Sequence, residues 1–355
     1  MKAKIINKTK ITISEEKAKK YSTIGIFAII ILLIIAVLWY FLTPKKYSYV
    51  TYSFDAYVSQ NIYGTNAEES AKKAADAIAS LEDLLSFDGE NSEIALINEN
   101  AGDKWTEISD VTYNVLSEAL RLCELTGGDF DITLAPVSRL YRLSDNNFSV
   151  PDDDLINEYK NYIDYTELRL DETEKSASFA HFGYAVDLYE ILMGAACDLA
   201  IEVYTSNGIT SAAIIVGDNV GIIGTKPDGE KWETIINTPK NDAELGVIKI
   251  DEGFISVVSK YERYIESDGK EYHYIINPNT GLPTNNNLES VIVISKSGAE
   301  SSALAYASFI KGYNKSHDLI NENDAFAIFV FEDNTVRIHG ETGIFTLTNK
   351  DYRLR

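Results

Sequence analysis

The stretch from Ile255 to Pro283, ISVVSKYERYIESDGKEYHYIINPNTGLP, holds the densest set of residues in this 355-residue chain that could do chemistry. It ends in Asn277-Pro278-Asn279-Thr280-Gly281-Leu282-Pro283, where proline fixes φ, Asn and Thr can bond their own backbone, and glycine admits positive φ. A rigid loop of this kind is expected to project backbone N–H groups, which suit a phosphate or carboxylate. The same residues also make an ordinary surface turn. Upstream, the β-branched run Ile255, Val257 and Val258 leads to the aromatic alternation of Tyr261 and Tyr264. The turn at Ser267-Asp268-Gly269 and a strand from Glu271 to Ile276 complete a predicted β-hairpin that would carry the loop. His181, His317 and His339 are scattered without metal-ligand spacing. Cys123 and Cys197 each fall on or near the apolar face of a predicted helix, which points to buried free thiols.

Other segments fall into line with this stretch. They are Asn91-Ser92-Glu93-Ile94-Ala95-Leu96-Ile97-Asn98, then Thr126-Gly127-Gly128-Asp129-Phe130-Asp131-Ile132-Thr133, then the run from Val186 to Asp198. Gly217-Asp218-Asn219-Val220 and the hairpin from Gly224 to Trp232 follow. In this order, from about Val50 to the C-terminus, the segments resemble the FAD:protein FMN transferase (ApbE-type) family. The resemblance implies a two-lobed α+β fold and transfer of FMN from FAD to a Thr or Ser of a target protein, with Mg²⁺ on the pyrophosphate. It further implies cofactor-binding roles for Asp129, Phe130, Asp131, Asp187, Tyr261, Ile275 and Thr280. The family's metal positions correspond to the Glu190 backbone, Ser302 and Tyr306. Its catalytic Lys and His positions correspond to Met193 and Tyr274.

Cleaving a pyrophosphate places charge on phosphate oxygens and calls for a hard cation with oxygen ligands. At those positions this sequence departs from the family pattern. The Asp and Thr of the family's metal helix are Ser302 and Tyr306, both neutral. The lysine is Met193, a glycine pair is Tyr189-Glu190, and a flavin-side Thr is Ala56. Lys260 replaces a further Asp. His273 precedes Tyr274 by one residue, so on a strand it points to the opposite face and is not expected to substitute as base. Glu190 lies one helical turn from Asp187, so the two carboxylates could rebuild a metal site; the plainer reading has Glu190 solvated or paired with a Lys. Two functions of different class follow: an FMN transferase whose catalysis is impaired, or a non-catalytic relative that binds flavin nucleotide or scaffolds a neighbouring membrane redox complex.

These residues need elements to hold them. Tyr49 to Tyr63 alternates as a half-buried strand does, Asn66 and Ser109 are expected helix caps, and Gly127-Gly128, Gly208 and Gly312 are expected helix stops. The stretch from Asp145 to Asp164 is polar and reads as a surface excursion, and Asn314 to Asn321 as a short helix.

Nineteen uncharged residues run from Ile24 to Leu42, close to the roughly 20 that cross a bilayer. The expected organisation is a basic tail (1–23), a transmembrane helix (24–42), a linker (43–49) and one domain (50–355). Seven Lys precede the apolar run against Glu15 and Glu16, so the tail is expected in the cytoplasm and the domain outside it. Leu42-Thr43-Pro44 offers no small-x-small cleavage site, and no Cys follows closely, which favours an uncleaved anchor and excludes a lipoprotein. Taking the tail's +5 and the +2 of Lys45 and Lys46 from the chain's −22 leaves −29 on the domain. That sign excludes a nucleic-acid surface.

Overall fold

The computed structural model describes residues 15–42, 44–141, 150–340 and 343–355. The first 14 residues of the expected basic tail and residues 145–149 of the expected excursion lie outside them. Two units are present, Met1–Lys45 and Lys46–Arg355. In the first, Glu15–Leu42 forms one helix. Among the described residues no helix is long and apolar enough to cross a membrane. The side chains of residues 36–42, the end of the expected span, lie outside the described ones.

The second unit is built on a nine-stranded sheet whose spatial order follows the chain. Its strands are β1 (Lys46–Ser53), β2 (Ala56–Tyr63), β3 (Ser211–Val216), β4 (Asn219–Ile223) and β5 (Gly253–Ser259). They continue through β6 (Leu288–Ser295), β7 (Phe326–Phe331), β8 (Thr335–His339) and β9 (Arg353–Leu354). All neighbours are antiparallel except β8 and β9. The central strands lack polar alternation because both faces are covered. Val291, Val293, Ala327 and Phe329 pack into the larger core. Ile292, Ile294, Ile328 and Val330 pack into a second core that also contains Trp232, Ile236, Ile248 and Phe345. That second core belongs to a small three-stranded sheet of Trp232–Asn237, Glu244–Ile250 and Phe345–Leu347.

On the larger core's side lie α1 (Ala67–Leu85), α2 (Asp110–Thr126), α3 (Tyr189–Ser206) and α4 (Gly298–Lys311). The last two meet where both chains have glycine: a Cβ on Gly194 would lie 2.2 Å from the Gly298 carbonyl oxygen. Asp198 of α3 accepts from Gly298 N, Ala299 N and Ser297 Oγ, so its carboxylate closes the N-terminus of α4. The Ser109 hydroxyl, accepting from Thr112 N, and the left-handed Gly127 bound α2 as the sequence predicts.

Several expectations change. Tyr49 to Tyr63 is two strands, because Phe54 and Asp55 adopt positive φ and turn the chain. Asn66 makes no side-chain cap bond to α1. The hairpin is confined to Tyr264–Ser267 and Lys270–His273, turning at Asp268 and Gly269, which both have positive φ. Ile255 to Ser259 instead belongs to β5, where β4 and β6 bury both of its edges. Residues 313–322 are a 3₁₀ turn followed by a short helix, and Asp153–Tyr159 is helical.

Candidate functional site

A cleft of about 270 Å³ opens between the β1–β2 turn, the start of α3, the turn after β3 and the end of β5. Ala56, Tyr189, Glu190, Met193, Asp218, Glu262, Arg263, Tyr274 and Ser302 are among its lining residues. Arg263 is its centre. The guanidinium carbon lies 4.2 Å from the Tyr189 ring centroid and 4.4 Å from that of Tyr274, within cation–π range of both rings. One Nη donates to Glu190 at 2.8 Å, while Tyr274 donates to Glu262 at 2.7 Å. Among the described residues Arg263 Nε is buried without a hydrogen-bond partner.

Charge in this cleft is lopsided, since Asp55, Asp218, Glu190 and Glu262 face one guanidinium. Burial pushes the Glu190 carboxyl up to about 8, opposed by Arg263 and assisted by Glu262 and Asp187. Burial disfavours the charge on Arg263, but Glu190, Tyr189 and Glu262 outweigh it and raise the group further. The Tyr274 phenol is driven upward by burial and by Glu262, so it stays protonated and donates.

Beneath the cleft, β5 and α4 meet in a neutral network. Ser302 Oγ donates to Asn219 Oδ1 at 2.9 Å and to the Gly298 carbonyl at 3.0 Å. Ser256 Oγ bonds Asn219 Oδ1 and lies 2.6 Å from Ser301 Oγ and 3.0 Å from Ser302 Oγ. One turn further along α4, the buried Tyr306 hydroxyl accepts from Ile276 N at 3.0 Å and donates to Ile276 O at 3.3 Å. Among the described residues no group of three or more His, Cys, Asp or Glu could hold a metal ion.

Residues 50–330 match the model of the ApbE family. The chain belongs to that family. It is 28% identical over 294 residues to the FAD:protein FMN transferase of Treponema pallidum, covering 76% of this chain and 81% of that one. A Klebsiella pneumoniae FAD:protein FMN transferase is 27% identical over 295 residues, 82% and 91% of the two chains. Among solved structures, the ApbE protein of Thermotoga maritima superposes with a TM-score of 0.77 at 25% identity, covering 84% of this chain and 98% of the other. The flavin transferase ApbE of Vibrio cholerae, at 21% identity and a TM-score of 0.72, shares the fold.

Set on this geometry, the family's positions scatter into three groups. Tyr274, Met193, Glu190 and Ser302 line the cleft together. Tyr306 lies under it, packed edge-to-face on Phe130 with centroids 6.2 Å apart. The remaining expected flavin contacts are occupied with the protein itself. Asp131 accepts from Thr133 N, Thr133 Oγ1 and Tyr165 N; Asp129 pairs with Lys311; Asp187 accepts from the N–H of Tyr189, the first residue of α3. Tyr261 donates to Glu289, and Ile275 is fully buried. Thr280 is exposed, and the loop around it does not present free donors. Asn279 N bonds Asn277 Oδ1, Thr280 N and Gly281 N bond Asn277 O, and Leu282 N bonds Thr280 Oγ1. The expectation of an anion-binding loop therefore fails, because Asn277 and Thr280 satisfy the loop's own N–H groups.

Glu190 is held by Arg263, not by a Lys, and among the described residues neither it nor Asp187 belongs to a group of three or more His, Cys, Asp or Glu that could hold a metal ion. His273 faces away from the cleft: its Nε2 meets the Thr284 carbonyl oxygen at 3.0 Å, and burial pushes its pKa down to about 4. Lys260 also points elsewhere, to Glu271 and Glu332. Asp55, Asp218, Asn219, Ser256, Glu262 and Arg263 are cleft residues that the sequence did not single out individually. The Y-E-R-Y element at 261–264 was the available signal for Arg263, since an arginine between aromatic residues is built for stacking.

The two side chains at the family's metal-helix positions, Ser302 and Tyr306, do not fit Mg²⁺. A hard dication needs anionic or carbonyl oxygens with free lone pairs. Ser302 and Tyr306 are neutral, and each already donates and accepts inside the protein.

Proposed function

We propose that this chain is a membrane-anchored, extracytoplasmic member of the FAD:protein FMN transferase family in which FMN transfer is impaired. The observation that carries this reading is the closed network at the family's metal positions, where Ser302 and Tyr306 bond Asn219, Gly298 and Ile276. FAD is the substrate that family membership implies, and a Thr or Ser of a target protein the acceptor. With Glu190 pushed up to about 8, Asp55, Asp218 and Glu262 still outnumber Arg263 in the cleft, and their charge opposes a pyrophosphate. The cleft's volume of about 270 Å³ also falls below the roughly 300–1,000 Å³ of pockets that enclose drug-sized ligands.

A second reading, a non-catalytic flavin-nucleotide binder or scaffold beside a membrane redox protein, is favoured by one detail. The buried, unpartnered Arg263 Nε is a donor that an anionic group of a nucleotide would satisfy. Supporting the anchor are the nineteen uncharged residues from Ile24 to Leu42 and the Lys bias before them.

The test uses the full-length chain in detergent with FAD, Mg²⁺ and a Thr-containing acceptor. Little or no Mg²⁺-dependent FMN transfer is expected. Transfer on the order of 1 per second or faster, in the range of ordinary enzymes, would sink the impaired-site reading. The two readings part on residual activity: slow, Mg²⁺-dependent transfer selects the impaired transferase, and saturable FAD binding by flavin fluorescence with no transfer at all selects the binder.

A further inference from the structure

A second cavity, of about 430 Å³, lies among the end of α4, the 3₁₀ turn at 313–315, β7 and β8. It shares no lining residue with the cleft at Arg263. Its charged lining residues are Lys311, Lys315, Arg337 and Asp333. The chain carries 54 acidic against 32 basic residues, so a cavity with three cations and one carboxylate runs against its composition.

Partners decide how much of that charge is free. Lys311 is paired with Asp129, and Asp333 is paired with Arg353 at 3.2 Å while accepting from Thr335 N. Lys315 and Arg337 meet no carboxylate among the described residues, which leaves two uncompensated positive charges at the cavity. Arg337 is also held in place. Its guanidinium carbon lies 5.0 Å from the Tyr313 centroid and 5.1 Å from the Phe331 centroid. Rings packed on the guanidinium fix its position while leaving N–H donors for a bidentate acceptor, and an arginine cannot shed its charge.

We propose that this cavity binds a compact dianion, a phosphate or dicarboxylate group, with Arg337 as the bidentate donor and Lys315 as the second charge. Phosphate carries about −1.5 to −2 charges near neutral pH, which matches the uncompensated pair. Placement on β8 and the 3₁₀ turn makes the site independent of FMN transfer, so it stands or falls apart from the function proposed above.

The experiment is calorimetric titration of the full-length chain in detergent, at low ionic strength and without phosphate in the buffer. Inorganic phosphate, malonate and chloride are the probes. One-to-one saturable binding of phosphate or malonate is expected, whichever binds identifying the source chemistry, with chloride ineffective at equal ionic strength. Arg337→Gln should weaken it tenfold or more, and Lys315→Gln at least threefold. Binding of neither dianion, equal competition by chloride, or unchanged affinity in both variants overturns the proposal. If Arg337→Gln fails to fold, the exposed Lys315 decides, and unchanged affinity in Lys315→Gln overturns it.

Discussion

Ser302→Asp combined with Tyr306→Thr puts the family's metal ligands back into a site that has closed over them, and the structure sets what this should cost and restore. Without metal the new carboxylate would face two acceptors, Asn219 Oδ1 and the Gly298 carbonyl oxygen, where Ser302 now donates. Removing the phenol leaves the Ile276 N–H buried without its partner, costing about 1–3 kcal/mol, and opens a cavity costing a further ~2–5 kcal/mol. The metal-free double variant should therefore be several kcal/mol less stable than the parent. Mg²⁺ at a hundredfold excess over its Kd would return about 2.7 kcal/mol. At roughly 2–4 °C per kcal/mol for a domain of this order, that is a rise in Tm of about 5–10 °C. Thermal unfolding followed by circular dichroism, with EDTA and with Mg²⁺, measures it. The parent should show no such rise. A Mg²⁺-dependent rise of that size in the parent would refute the argument that its serine and tyrosine cannot hold the ion. If the double variant does not fold, Ser302→Asp alone carries the same comparison.

Glu190 is held above the usual carboxylate range, so its folded form binds a proton more tightly than its unfolded form. Its contribution is present in full below about pH 4.5 and is lost as pH rises through about 8. Urea midpoints at pH 5, 7 and 9 should fall less steeply in Glu190→Gln than in the parent; an equal decline would place the effect in another group. Gly194→Ala should lower stability by about 1–3 kcal/mol, because its methyl would meet the Gly298 carbonyl oxygen. An unchanged denaturation midpoint would mean that α3 and α4 slide apart at little cost. Protease added to intact cells should remove the domain from Lys46 onward, and complete protection of that domain would reverse the proposed topology.

Much of the architecture was legible along the chain because it rests on local physics. Ser109 before α2, the glycines at 127, 208 and 312, and the Asp268-Gly269 turn are backbone requirements that a residue type states directly. The family was legible as well, since its motifs are short runs of neighbouring residues. So was the loss of the carboxylate at 302 and of the small hydroxyl at 306, which needs only residue identity.

What tertiary structure alone decided is where side chains point and what they already hold. The loop at Asn277–Pro283 reads as a row of free N–H donors until Asn277 and Thr280 are seen to accept them. Glu190 and Arg263 are 73 residues apart and meet only because α3 and the segment after β5 close on one cleft. The Tyr274 and His273 side chains part to opposite sides, one into a cleft crowded with carboxylates and one against the Thr284 carbonyl. Whether a polar group is free to bind a ligand depends on partners from distant segments. Burial then fixes the outcome, because an enclosed donor or acceptor must be satisfied by whichever group the fold brings to it.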